Sequence, residues 1–502
     1  AQFLRWALNR KALILIVTAA LFFTSFGLVA GGFIGTAFFG QSDQGEFIMK
    51  LELPKDATLK ETNLAAQKAE QLLMGKKEVI NVFSSIGRST GLVSQSTPYL
   101  AEINVKMVPK EERTDRADVY AQRMRDELER SLPGVKVSTS QVSFFGGADE
   151  APIQIILSST ELEDAMAYAK VVEAEVKKIP GTVAVELSVE EGNPELKVDI
   201  DRDRMAELGL NLQIVGATMQ TAFSGNTNAK YRDGAYEYDI NILLDDFDRS
   251  KLEDVANLGF TNLRGETIRL EQFANITQTT GPSMLERKDR VSSVTVRSQA
   301  IGRPTGTIGE EIKAAVAQNP PPKGVTLAYD GELKFQAEGF GALGIAFGAA
   351  ILFVYLIMVA LYDNWVYPFV VLFSIPVAIV GALFAMALAM QILDIFSIVG
   401  IIMLVGLVGK NAILLVDFAN QLKEEGRSTF DALIEAGQIR LRPILMTTIA
   451  MVFGMLPIAL ATGAGAEWKN GLAWALVGGL TSSMLLTLIV VPVVYYLVDL
   501  AG

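Results

Sequence analysis

The chain has 502 residues, half of them hydrophobic and 20% charged, with 44 Lys and Arg against 56 Asp and Glu and a formal charge of −12. That balance argues against nucleic acid as a partner, because phosphate binding needs clustered cations, and the length exceeds what one hydrophobic core organises, so several domains are expected. Cysteine and histidine are both absent, which removes disulfides, thiolate nucleophiles and metal ligands, the usual general base and the ordinary pH switch.

The first hydrophobic span runs over about residues 11–32, behind Arg5, Arg10 and Lys11. It is long enough to cross a bilayer, and Gly31-Gly-Phe-Ile-Gly35 is a poor signal-peptide cleavage site. The next 300 or so residues carry no span, far more than a loop holds. They show a recurring strand–helix–strand rhythm. Phe47–Leu53 alternates like a strand, Pro54 stops it, and Ala57–Leu73 has helical spacing before strands at Val79–Phe83 and Ala101–Met107. A second unit has strand Ile153–Leu157, helix Glu161–Lys178 and strand Thr182–Val189. A third segment returns with Val291–Val296, helix Thr307–Gln318 and Val325–Tyr329. Glu195–Gly281 between them is mixed. The pattern predicts α+β subdomains of ferredoxin-like type with one inserted domain.

Five more spans follow, at about 338–361, 366–389, 395–418, 443–462 and 472–498. The positive-inside rule places the N-terminus and a loop with Lys423, Arg427, Arg440 and Arg442 in the cytoplasm, and residues 33–336 outside. Gly344-Ile-Ala-Phe-Gly348 has the small-xxx-small spacing of closely packed helices.

Lys410 is the most informative residue. It sits midway along Ile401-Ile-Met-Leu-Val-Gly-Leu-Val-Gly-Lys-Asn-Ala-Ile-Leu-Leu-Val416, where a lysine costs roughly 2.5–3.5 kcal/mol on insertion scales. Snorkelling to an interface does not explain so deep a position. Nor does a P-loop, since Gly409-Lys410 lacks the earlier glycine and the following Ser or Thr. Asp394, Asp417, Glu338 and Asp363 all flank spans near the interfaces, so the counter-charge is expected outside these residues.

The chain resembles the C-terminal half of the resistance–nodulation–division (RND) efflux transporters, of the branch exporting hydrophobic and amphiphilic compounds. The resemblance rests on Gly35-Thr-Ala-Phe-Phe-Gly-Gln-Ser-Asp-Gln-Gly45, Pro194-Glu-Leu-Lys-Val-Asp-Ile-Asp201 and Gly281-Pro-Ser-Met-Leu-Glu-Arg287 in the soluble region. In the spans it rests on Gly409-Lys-Asn-Ala-Ile-Leu414, Arg440-Leu-Arg-Pro-Ile-Leu-Met-Thr-Thr448 and Ala461-Thr-Gly-Ala-Gly-Ala466. It implies a first span (1–36), a porter subdomain (37–150), a second porter subdomain in two parts (151–190 and 282–334), an inserted docking domain (191–281) and a five-span bundle (335–502). The first span becomes a permanent helix, and a start at Ala1 without Met suits a fragment.

The resemblance also implies roles. Lys410, Asn411, Arg440 and Thr447 would form a proton relay with paired aspartates of the missing N-terminal half. Phe83, Glu102, Ile153, Ile155 and Glu186 fall on substrate-pocket positions, and Gly87, Arg88 and Gly91 on the loop between pockets. Glu102 and Glu186 replace an aromatic and an arginine of the best-known multidrug members, which leans the pocket towards cationic amphiphiles. Ser482 and Ser483 read as helix–helix glue. The implied machine is a homotrimer in a Gram-negative inner membrane, with a periplasmic adaptor and an outer-membrane channel, driven by a proton gradient with no cofactor or metal and no enzymatic step. Alternatives are an RND-type lipid or heavy-metal exporter, or a membrane-anchored binding module. Met49, Met107 and Met124 could suggest soft metals but read better as core packing.

Overall fold

The computed structural model describes residues 2–40, 43–54, 57–88, 96–141, 151–189, 193–234, 236–262, 264–281 and 285–501. The chain divides into two compact units, Ala1–Ser188 with Glu286–Gly502, and Val189–Leu285.

The larger unit opens with α1 (Gln2–Asn9) and α2 (Lys11–Ala30). After them, β1 (Glu46–Glu52), α3 (Leu59–Met74), β2 (Val79–Arg88), β3 (Ser96–Met107), α4 (Ala117–Ser131) and β4 (Lys136–Gln141) make a β-α-β-β-α-β unit. Its sheet is antiparallel in the order β2-β3-β1-β4. Phe47, Met49 and Leu51 of β1 and Ile103 and Val105 of β3 face the helices and are buried, while Lys50 and Glu102 pair across the opposite face. Thr58 starts α3 through a capping box with Glu61.

The helix and strand α4 and β4 are absent from the sequence reading. Nearly half of α4 is charged, and its apolar stripe is narrow: Ala117, Tyr120, Ala121, Met124 and Leu128. Such a stripe is enough once a sheet covers it.

β5 (Ile153–Ser159), α5 (Leu162–Val176) and β6 (Thr182–Leu187) begin a second unit. The smaller compact unit follows in the chain. It holds β7 (Asn193–Ile200), α6 (Arg202–Glu207), α7 (Leu212–Phe223), β8 (Asn226–Asp233), β9 (Tyr236–Ile242), α8 (Leu252–Ala256), β10 (Gly259–Thr261), β11 (Thr267–Arg269) and β12 (Ala274–Gly281). β7 pairs with β12, and the core gathers Phe260 and Phe273 with Leu270 and Val215. The β8–β9 hairpin is exposed along both strands.

β13 (Glu286–Lys288), β14 (Val291–Ala300), α9 (Thr305–Gln318) and β15 (Thr326–Gly331) complete the second unit. β14 pairs with β6 and β5, and β5 with β15. The order β6-β14-β5-β15 repeats that of the first unit, with the smaller compact unit inserted between its second and third strands.

The helices α10 (Glu332–Tyr362), α11 (Val366–Leu372), α12 (Ser374–Leu388), α13 (Ile395–Glu424), α14 (Thr429–Ala459) and α15 (Glu467–Ala501) end the chain. With α2, and with α11 and α12 taken together, they are six segments long and apolar enough to span a membrane. Three expectations change. The span at 366–389 breaks at Phe373, because Pro376 cannot donate to the Leu372 carbonyl. The span expected from Pro443 starts at Ser428, which caps α14 by accepting from Asp431 N–H at 3.1 Å, so Arg440 and Arg442 are helical and the loop shrinks to a turn. Among the described residues nothing lies within 4 Å of a Cβ added at Gly344 or Gly348. The close helix approach lies elsewhere, between α12 and α15, where a Cβ on Gly478 would stand 2.3 Å from Ala385 Cβ and from the Gly381 carbonyl.

Asp43 and Arg113, each with a side chain 1% exposed, pair beneath the start of the first sheet. Burial opposes ionisation of Asp43, but the hydrogen bond and charge of Arg113 outweigh it and hold the carboxyl below its ordinary pKa. A depressed carboxylate contributes stability above its unfolded pKa and loses it as pH falls through the folded one. Asp43→Asn should therefore cost about 3 kcal/mol at neutral pH, by stranding Arg113. In chemical denaturation the gap to the parent protein should narrow as pH drops below about 4; a gap independent of pH would rule out the ion pair as its source.

Candidate functional site

α13 is about 45 Å long at 1.5 Å per residue. Asp394 fixes its start by accepting from Ser397 N–H at 2.8 Å and donating its own N–H to the Ser397 hydroxyl at 2.7 Å. Lys410 lies at its midpoint. Met403, Gly406 and Lys410 follow one another at helical spacing and are all exposed, forming an outward stripe. Among the described residues Lys410 makes no ion pair. Three acids of the bundle are engaged within the chain: Asp394 in its cap, Asp417 accepting from Gln421, and Asp499 holding Lys423 and Thr429.

Asn411 points the other way and is buried. Its amide donates to the Thr448 hydroxyl of α14 at 3.4 Å. Thr447, one position earlier, is exposed and donates back to the carbonyls of Pro443 at 3.1 Å and Ile444 at 3.2 Å. Arg440 lays its guanidinium 4.7 Å from the Phe418 ring centre on α13, and its buried Nε has no partner among the described residues. Lys410 and Thr447 are thus both on open helix surface, whereas Asn411 and Thr448 tie α13 to α14. Thr448 was missed by sequence reasoning, although Ile444 and Thr448, four apart, share the buried stripe of α14. Ser483 and Thr487 of α15, 3.0 Å apart, border the same small gap as Asn411 and Ile444. Ser482 donates to the Val377 carbonyl of α12 at 2.9 Å.

In the β-α-β-β-α-β units, register decides which pocket candidates are reachable. Phe83 pairs with Asn104 and is 68% exposed, on the sheet face away from the helices. Glu102 shares that face but is only 1% exposed, 4.0 Å from Lys50 Nζ. Glu186 pairs with Arg297 on the open face of the second sheet, and Lys136 of β4 reaches it at 2.7 Å. Ile153 and Ile155 have no exposed surface. They sit on the helix-covered side, one residue out of phase with Gln154, so they belong to the core and not to an open pocket wall. Gly87 sits at an irregularity of β2 with a φ of +75°, and a Cβ there would stand 2.4 Å from Leu59 Cδ1, so the position favours glycine. Arg88 ends β2, paired with Ser96; Gly91 lies outside the described residues.

The sequence model of the AcrB/AcrD/AcrF family matches residues 1–499. The chain belongs to this family of RND efflux transporters and is a multi-pass membrane protein. Multidrug resistance protein MdtC of Pectobacterium carotovorum subsp. carotovorum is 27% identical over 504 residues, covering 99% of this chain and 48% of that protein. MdtC of Cronobacter sakazakii is 27% identical over 507 residues, with the same coverage of 99% and 48%. A heavy metal efflux pump solved in two crystal forms superposes with a TM-score of 0.82 at 25% identity, over 100% or 99% of this chain and 52% of the pump. The chain spans about half the length of the relatives it matches.

The two adjacent threonines should separate experimentally. Thr448→Val removes the partner of a buried amide and should cost about 1–2 kcal/mol of stability in the purified protein. Thr447→Val, on open surface, should change it by less than about 0.5 kcal/mol. Equal losses would place both hydroxyls in the α13–α14 contact.

Proposed function

We propose that this chain is the C-terminal half of a proton-driven exporter of hydrophobic and amphiphilic compounds, a drug:proton antiporter. The observation that carries this reading is Lys410: a cation at mid-membrane height, on exposed helix surface, with no acid of the described residues paired to it. A second set of helices bearing carboxylates would complete it. The half-length match to the relatives supports the same arrangement.

In this reading Lys410 and Thr447 face the partner helices, and Arg440 holds the cytoplasmic end of the relay. Asn411 anchors the relay helix to α14. Protonation of the partner carboxylates releases Lys410 and shifts a two-state equilibrium of the helices. The two β-α-β-β-α-β units are ferredoxin-like porter subdomains in the periplasm, and substrate lies against their open faces beside Phe83, Glu102 and Glu186, near the loop starting at Gly87 and Arg88. Cationic amphiphiles enter by exchanging with Lys136 at Glu186. The assembly is a trimer in a Gram-negative inner membrane, joined to a periplasmic adaptor and an outer-membrane channel.

The heavy metal pump among the structural neighbours favours metal export as a second reading. The donor chemistry speaks for amphiphiles: Met49, Met107 and Met124 are packed in the core of the first unit, and no cluster of three or more His, Cys, Asp or Glu occurs among the described residues.

The test is Lys410→Met in the full-length transporter, reconstituted in liposomes with an imposed pH gradient. Methionine suits the bilayer and strands the partner carboxylates, which take up protons. Amphiphile transport should fall by about 5- to 150-fold, the span of typical coupling energies, with membrane insertion unchanged. Full transport by the variant would sink the relay.

A further inference from the structure

Residues 34–40, between α2 and β1, form no helix, yet their backbone is bonded to several separate parts of the larger unit. Leu393, the residue before the cap of α13, pairs with the segment in parallel. Ala37 N–H donates to the Leu393 carbonyl at 3.2 Å, and Leu393 N–H donates to the Gly35 carbonyl at 2.8 Å. Ile395 N–H, in the first turn of α13, donates to the Phe38 carbonyl at 3.2 Å. On its other side the segment meets α9, where Gly306 N–H donates to the Thr36 carbonyl at 2.9 Å. Thr36 N–H donates to the Thr307 hydroxyl at 3.4 Å. The Gly40 carbonyl accepts from the Trp468 indole of α15 at 2.9 Å.

Glu332, the half-buried first residue of α10, closes the set. One carboxylate oxygen accepts Phe38 N–H at 3.2 Å and Phe39 N–H at 3.3 Å. Glu332 N–H itself donates to the Pro152 carbonyl, beside β5, at 2.9 Å. The packing leaves no slack. A Cβ on Gly35 would stand 2.5 Å from Pro304 Cγ, and one on Gly306 would stand 2.6 Å from the Thr36 carbonyl.

α9 and α13 are separated along the chain by α10, α11 and α12, but the segment bonds directly to both. A displacement of α13 that preserves the Leu393 pairing must carry the segment, through Thr36 it must load α9, and through Glu332 it must load β5. We propose that Ile34–Gly40 transmits movement of the Lys410 helix to the second β-α-β-β-α-β unit, and that Glu332 is the positioning residue that holds it in register. Glu332 acts here as a hydrogen-bond acceptor and does not move a proton. The proposal rests on the transport reading for the load the segment carries, and on the contacts alone for the linkage.

The experiment compares Glu332→Ala with Glu332→Gln in the full-length transporter. Glutamine keeps an oxygen for both N–H groups; alanine leaves none. In hydrogen-exchange mass spectrometry, Glu332→Ala should speed exchange of peptides covering 34–40, 304–309 and 393–398 together, by at least about tenfold, while Glu332→Gln stays within about threefold of the parent. Amphiphile transport should fall about tenfold in the alanine variant and persist in the glutamine variant, with proton uptake kept in both. Loosening confined to 34–40, or parental transport by Glu332→Ala, would overturn the linkage. Equal transport loss in both variants would overturn the acceptor role. A parent protein that shows no proton-driven transport would instead count against the exporter reading, and the exchange data would still decide the linkage.

Discussion

A lysine halfway along an apolar helix is the constraint from which the membrane half of this molecule is best understood. Placing it there costs roughly 2.5–3.5 kcal/mol unless a carboxylate or water stabilises it. Among the described residues no acid pairs with it: Asp394 caps α13 and Asp499 binds Lys423. The helix is instead built so that Lys410 shares an open stripe with Met403 and Gly406, while its neighbour Asn411 is turned inward. One residue of rotation separates an exposed cation from the amide that ties α13 to α14.

The soluble part answers a different constraint. Two units of the same order each cover one sheet face with helices and carry charged residues on the other. An inserted compact unit is tolerated between the second and third strands of the second unit because that connection is a loop at the sheet's end, where added chain adds little closure entropy. Those faces carry the charged pairs Lys50–Glu102 and Lys136–Glu186. The helix-covered faces carry only core.

Much of this was legible from residue patterns. The six spans, the strands at Phe47, Val79 and Ile153, and the mid-helix position of Lys410 all follow from hydropathy and periodicity. Parity was not legible where the whole strand is apolar. Ile153-Gln-Ile-Ile-Leu157 gives no clear alternation at its C-terminal end, and the two isoleucines carried over as pocket residues lie on the covered face. Helix ends were hidden wherever charge interrupted hydropathy, as in α4 and in the first turns of α14. Proline misled twice, reading as a start at Pro443 and as nothing at Pro376. The small-residue motif at Gly344 meets no helix of the described residues, whereas the glycines that bring α12 and α15 together, Gly381 and Gly478, lie in different helices and no single spacing reveals them.

The central claim is that Lys410 is completed by carboxylates from outside this chain. The most direct measurement is an experimental structure of the full-length transporter at neutral pH. The account predicts an acidic side chain from a helix outside these 502 residues within hydrogen-bonding distance of Lys410 Nζ, with Thr447 facing the same helix. A Lys410 bonded to an acid of this chain, or left facing lipid, would contradict it.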